Sequence, residues 1–400
     1  MRHLLFASPL VLALAACGLN GTDRDTEGKQ ADVTAGQANA GAPAQDPLLS
    51  HDPAGNAPLD AAQADDKPRP EMQAQVVLDR LGFTPGVVDG AMGLSTRNAL
   101  RGFQVANDLK ETGELDEATK QALGQWSNIP ATRMVSIPAD FAAGPFFLIP
   151  KDAQDKAKMP GLGYQSLDEK LAERFHTTVA VLKELNPTLA SPGATPSATP
   201  TPGPTASASD AAFTPQPGPT AIFSAGQQLR VPNVGADRIN PAQVSDSAWL
   251  ATLKMLGVGS EQPKADKIVV DKSAGTLLAY DTAGKLIAAF TATMGSTHDP
   301  LPLGDWKILG VSRNPTFHYN PNLFWDAKAT DQKALLPAGP NGPVGVTWID
   351  LSKEHYGIHG TPEPETIGRA ESHGCVRLTN WDVARLAQMV SGSTKVSFVA

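Results

Sequence analysis

The period of the apolar positions changes along the chain. Leu4 to Ala16 is an apolar run behind Arg2 and His3. Residues 17–70 are rich in Ala, Gly, Asp, Gln and Pro and hold no sustained period, which predicts a disordered tether. Ala74, Val77, Leu78 and Leu81 then follow the i, i+3, i+4, i+7 stripe of an amphipathic helix, closed by Gly82. Pro85-Gly86 and Asp89-Gly90 shape a tight loop. Ser95 is expected to cap a second helix carrying Ala99, Leu100 and Phe103, and Asp116 a third carrying Ala118 and Ala122. A small all-α three-helix domain over 71–124 follows.

Further on, 146–150 (FFLIP) reads as a short strand. Ser166 and Glu169 form a capping box before a helix with Leu167, Leu171 and Phe175. A second helix, capped near Thr177, carries Val181, Leu182 and Leu185 and stops at Asn186-Pro187. A closing strand is expected at 226–232, after a Pro/Thr/Ser-rich insert at 188–221. This is a small α+β module over 145–235. From about 265 the rhythm becomes β: short runs of strand-favouring residues are broken by Gly-containing turns. A helix is expected at 381–390, behind Asn380, and a final strand in KVSFVA. The third domain, 265–400, is expected to be mainly antiparallel β.

Composition agrees with several domains joined by linkers. Of 400 residues 41% are hydrophobic, enough for packed cores, while 36 Gly and 34 Pro are too many for one compact unit. The net charge of −8 comes without Lys/Arg-rich blocks, so nucleic acid is not an expected partner. The Leu4–Ala16 run is too short to span a bilayer but fits a signal peptide. Leu14-Ala15-Ala16-Cys17 resembles the bacterial lipoprotein signature. That resemblance implies removal of 1–16, acylation of Cys17 and a membrane anchor at the end of a tether spanning about 40 Å. Gly18 after the cysteine points to the periplasmic face of the outer membrane, for a Gram-negative cell. Cys375 would then be the only thiol of the mature chain.

The chemistry gathers in YGIHGTPEPETIGRAESHGCVRLTNWD, 356–382. Cys375 follows Ser372, His373 and Gly374. A thiol near its ordinary pKa of about 8.5 is mostly protonated at neutral pH, and an imidazole can accept its proton. His359 arrives across a Pro- and Gly-rich loop. Backbone N–H groups around Gly374 and Cys375 could converge on an oxyanion, and Gly374 lets substrate approach the backbone. Arg369 and Arg377 offer planar cations for a carboxylate. The bland alternatives are a buried core cysteine, structural histidines and ordinary surface arginines. His355 and Tyr356 fit strand or pocket-wall positions, with Tyr356 able to line a cleft. His298 and His318 carry no motif. A zinc site from His359, His373 and Cys375 lacks the usual ligand spacing, so no metal or other cofactor is expected.

IHGTPEP and SHGCVRL resemble the L,D-transpeptidase (YkuD-type) catalytic family over roughly 265–400. The resemblance implies Cys375 as nucleophile, His359 as general base, the Gly360 carbonyl orienting that imidazole, and His373 with the Gly374 region supporting the oxyanion. Arg377, Arg369, Ser372 and Tyr356 are the candidates for substrate contact. Arg377 stands where many relatives have Asn. The implied reaction cleaves the terminal D-Ala from a peptidoglycan tetrapeptide stem through a thioester and passes the acyl group to an amine, as a 3-3 cross-link or onto a protein. Hydrolysis of the thioester would make an L,D-carboxypeptidase instead. An alternative of another class is a non-catalytic lipoprotein anchoring membrane to wall. LDRLGFTPGVVDGAMGLSTRNALRGFQVANDL and GELDEATKQAL resemble a peptidoglycan-binding domain. LAERFHTTVAVLKELNP and AGQQLRVP resemble a LysM module, which binds glycan.

Overall fold

In the computed structural model the described residues are 65, 67–189, 213–235 and 239–400. The signal run, Cys17 and most of the tether and of the Pro/Thr/Ser-rich insert lie outside them. Among the described residues no helix is long and apolar enough to cross a membrane.

The first stripe forms α1 (Pro70–Arg80), followed by β1 (Phe83–Thr84), α2 (Leu94–Ala106) and α3 (Glu117–Leu123). Val77, Leu78, Phe83, Leu100 and Phe103 are buried between them, with Phe83 and Phe103 edge to face at 5.9 Å. Asp116 caps α3, accepting from the Thr119 N–H. Ser95 caps nothing: α2 starts one residue before it, with Gly93 as N-cap in extended conformation and no side-chain cap bond. The loops are held by buried glutamines. Gln75 accepts from the N–H groups of Asp89 and Gly90, and Gln104 from those of Thr112 and Gly113.

In the middle region β2 (Thr132–Ser136) pairs antiparallel with β3 (Gln228–Pro232). Between them come α4 (Ala139–Ala142), α5 (Ala153–Ala157), α6 (Leu167–Arg174) and α7 (Val179–Leu185). Ser166 caps α6 through the Glu169 N–H, while the N-cap of α7 is Thr178 rather than Thr177. The expected strand at 146–150 is absent. Phe147 makes one isolated bridge with Pro217, and the partner of β3 lies upstream at 132–136. Pro145, Pro150 and Pro217 lack N–H donors, so a ladder cannot extend there. Val135, Leu171, Phe175, Leu182, Leu229 and Val231 make the core of this region.

The rest of the chain adds α8 (Ser247–Leu256), β4 (Lys267–Asp271), β5 (Thr276–Tyr280), β6 (Leu286–Thr291), β7 (Thr293–Met294), β8 (Gly304–Arg313), β9 (Phe317–Tyr319), β10 (Ala334–Leu336), β11 (Thr347–Leu351), β12 (Gly357–His359), β13 (Val376–Arg377), α9 (Asn380–Met389) and β14 (Lys395–Val399). A ten-stranded sheet runs β1-β6-β5-β4-β14-β8-β11-β12-β13-β7. Most neighbours are antiparallel, as expected, but β14–β4, β12–β13 and β1–β6 are parallel. The cap of α9 is Thr379, not Asn380.

The first domain is part of this sheet, because β1 forms its edge. Gly102 of α2 faces Ala289 so closely that a Cβ there would sit 2.6 Å from the alanine methyl. A buried ionic cluster joins all three regions: Asp79 of α1 holds His176 at 3.1 Å and Arg385 of α9 at 2.9 Å. His176 also stacks on Trp381 with ring centres 4.8 Å apart.

Candidate active site

The parallel pairing of β12 with β13 brings the two halves of the motif together. Ile358 faces Val376 and His359 faces Arg377 in register. Side chains alternate along a strand, so Cys375, immediately before β13, falls on the face of Arg377, the residue that His359 opposes in register. The Sγ donates to the His355 carbonyl at 3.7 Å, and the Gly357 backbone N–H is bonded to the sulfur.

His359 is buried. Its Nδ1 lies 2.7 Å from the Gly360 carbonyl oxygen, so Nδ1–H donates there and Nε2 keeps its lone pair. The ring stacks on Trp348 with centroids 5.6 Å apart. Burial, helped by the Arg377 charge, pushes the imidazole down to about 4, against the opposing Gly360 bond. The Cys375 thiol is pushed up to about 11: burial dominates and Asp299 adds to it, while the Gly357 hydrogen bond and Arg377 act the other way. At neutral pH the pair is therefore a neutral thiol beside a neutral imidazole rather than a preformed ion pair. That is the state in which Nε2 can take the thiol proton as sulfur attacks a carbonyl.

The remaining candidates divide. Gly374 has φ +93, and Tyr356 packs where a Cβ would stand, so glycine is required on both grounds and the Tyr356 ring lies against the nucleophile turn. Ser372 was expected to meet substrate but is buried with its hydroxyl occupied. It donates to the Cys375 carbonyl at 2.6 Å and accepts from the Gly295 N–H at 2.7 Å, clamping the nucleophile turn to the end of β7. His373 Nε2 is taken by Asp326 at 2.9 Å, and its ring contacts Phe324 and Trp325. That nitrogen is engaged away from the sulfur, which fits support of the turn rather than of an oxyanion. Arg377 is largely buried, and its charge acts on both Cys375 and Glu363. Arg369 is exposed and lies beside Gly93 of the first domain instead of joining Arg377.

Sequence reasoning missed Trp348, Asp299 and Asn380. Trp348 was detectable as an aromatic in the alternating run of β11. Asp299 and Asn380 carry no local signal, since their roles exist only through the pairing of distant segments.

Residues 265–397 match the family described as the L,D-transpeptidase catalytic domain, and 72–123 match a putative peptidoglycan binding domain. A putative L,D-transpeptidase YkuD of Bacillus licheniformis is 34% identical over 131 residues, covering 33% of this chain and 64% of the relative. The YkuD protein of Bacillus subtilis is 53% identical over 58 residues, 14% of this chain and 35% of that one, so the chain spans less than two thirds of the length of either relative. A probable L,D-transpeptidase YbiS of Escherichia coli K12 is 29% identical over 136 residues, 33% of this chain and 44% of that protein. Among solved structures, an L,D-transpeptidase from Mycobacterium smegmatis aligns at 21% identity and TM-score 0.28, over 34% of this chain and 59% of that one. With the matched segments carrying the paired cysteine and histidine and the three-helix unit respectively, the chain contains a YkuD-type L,D-transpeptidase catalytic domain behind an N-terminal peptidoglycan-binding domain.

Proposed function

We propose that the protein is a peptidoglycan L,D-transpeptidase of the cell envelope, tethered as a lipoprotein through Cys17 at the periplasmic face of the outer membrane. The observation that carries the catalytic part is the placement of Cys375 and His359 on one face of adjoining strands, with the imidazole tautomer fixed by Gly360. The thiol proton passes to His359 Nε2 as sulfur attacks the carbonyl of the third stem residue. The C–N bond to D-Ala then breaks, and the imidazolium returns the proton to the departing amine. An acceptor amine next attacks the thioester. Its proton reaches Cys375 by way of His359 as the C–S bond breaks, leaving a new amide and the free thiol. Arg377, largely buried beside the sulfur, is suited to hold the donor stem's carboxylate. A stem of the neighbouring strand supplies the amine for a 3-3 cross-link, and a protein amine is the other candidate acceptor.

Incubation of the full chain with disaccharide-tetrapeptides, followed by mass spectrometry, tests this reading. Cross-linked dimers with release of D-Ala are expected. Tripeptides alone would reassign the protein as a hydrolase, and unaltered substrate would overturn the proposal.

The pH dependence is distinctive. His359 must be neutral to accept the proton, and its value is lowered, so activity should persist on acidification until pH approaches about 4. An ordinary imidazole would lose it near 6.5. The check is the rate at which a carbapenem, a mimic of the acyl donor, adds to Cys375, followed by intact mass across pH 3–8. A midpoint near 6.5 would show that the imidazole is not desolvated when it works.

A further inference from the structure

His359 is oriented by the Gly360 carbonyl, and Gly360 is itself held from behind. Its N–H donates to Val344 and Thr347 at 3.1 and 3.3 Å. The Asn380 side chain packs directly against this backbone, since a Cβ at either Gly345 or Gly360 would collide with Asn380 Oδ1. The same Oδ1 accepts from the Val346 N–H at 3.1 Å. On its other side Asn380 Nδ2 donates to Glu173 Oε1 at 2.7 Å and to the Pro340 carbonyl at 3.1 Å. Glu173 belongs to α6 of the middle region, not to the catalytic domain, and its second carboxylate oxygen accepts from the Tyr164 hydroxyl. Both Glu173 and Asn380 are buried, so neither can trade these partners for water.

An amide has a donor end and an acceptor end of nearly the same shape, and only its partners decide which way it faces. Burial pushes the Glu173 carboxyl up to about 7, and above that pH it accepts and does not donate. With the ionised Glu173 as the shorter of its two acceptors, beside the Pro340 carbonyl, Asn380 presents Nδ2 to them and therefore Oδ1 to Val346 and the Gly360 backbone. Turned over, the amide would set oxygen against oxygen at Glu173 and N–H against N–H at Val346. We infer that Glu173 is a positioning residue for the catalytic base, contributed by the middle region and acting through the orientation of the Asn380 amide on the backbone that holds His359. The inference rests on His359 serving as the base in the function proposed above.

The test compares Glu173→Gln and Glu173→Leu in the full chain. Glutamine retains an oxygen that can accept from Asn380, whereas leucine retains none. Misplacement of a catalytic group by about 1 Å costs on the order of 100-fold in rate. Glu173→Leu is expected to lower kcat by about 10- to 100-fold with KM within about twofold, and Glu173→Gln to stay within about threefold of wild type. A purely structural role would instead lower Tm while leaving kcat per folded molecule unchanged, and that result for Glu173→Leu would overturn the inference. If the leucine variant does not fold, Asn380→Asp and its combination with Glu173→Gln give the answer. The single change opposes two carboxylates, while the pair restores a hydrogen bond of reversed polarity. Failure of the pair to recover rate relative to Asn380→Asp would refute the coupling. Alkylation of Cys375 by iodoacetamide repeats the comparison without any wall substrate. A wild-type chain that alkylates readily but cross-links nothing would sink the proposed function, and the variants' alkylation rates would still decide the role of Glu173.

Discussion

Cys375→Ala is expected to abolish acyl-enzyme formation completely while leaving binding to isolated sacculi intact. Cys375 is the free thiol of the described residues, and its sulfur is the atom on which the proposed covalent step is built. Without it, His359 has no thiol proton to take, and no other cysteine is present among the described residues. Loss of an essential nucleophile lowers kcat by roughly 10⁴-fold or more, to the level of whatever the binding site alone contributes. No drug adduct should appear in the intact mass after carbapenem treatment, at a pH where the wild-type chain is fully labelled. Sacculus binding should survive because the core of the peptidoglycan-binding segment, 72–123, forms around Leu100 and Phe103 together with Leu286 and Ala289 of the sheet and includes no residue of the 372–375 turn. Loss of both properties together would show that wall binding runs through the cysteine cleft.

The largest effect on stability is expected at Asp79. Burial alone would raise its carboxyl, but the charges of Arg385 and His176 overcome this and hold it well below the usual carboxylate range. Asp79→Ala would strip the buried Arg385 guanidinium and the His176 ring of their shared carboxylate. Breaking a buried pair by removing one partner costs about 3–5 kcal/mol. Since Asp79 stands on α1, His176 beyond α6 and Arg385 on α9, the loss should appear in the joint unfolding of all three regions in a urea titration. The sign of the pH dependence follows from the depressed value. The stabilisation is present above the ordinary carboxylate value of about 3.8 and fades as acid is added below it. Asp79→Asn should remove that acid-sensitive component. A variant with the wild-type urea midpoint would mean that the cluster contributes no net stability.

The parts of this molecule that were legible in the sequence are those in which one segment carries its own signal. The α1 stripe, the Asp116 and Ser166 caps, the β rhythm after 265 and the Ser372-His373-Gly374-Cys375 run all depend on residues within a few positions of one another. What stayed hidden depends on partner choice. The expected strand at 146–150 had suitable side chains, but its prolines and those opposite it could not supply ladder donors, so β3 found β2 instead. Ser372 resembled a substrate contact because a hydroxyl beside a nucleophile is chemically apt. Only the arrival of the Gly295 N–H from a distant strand shows that it is already occupied. Arg369 and Arg377 were alike as cations, and only the loop between them determines that the charge of one acts on the thiol while the other lies beside the first domain. The Glu173–Asn380 bond joins segments more than two hundred positions apart, and neither residue announces the other.

The edge position of β1 bears on how this protein can be cut and recombined. A fragment trimmed to the matched catalytic segment would leave β6 with an uncovered hydrogen-bonding edge and its Ala289 side without the helix that packs there. Bare strand edges recruit other chains, so such a fragment would tend to clump. The piece that can be moved intact into another host protein is therefore larger than sequence similarity delimits, and a chimera should carry the upstream helices along with the enzyme.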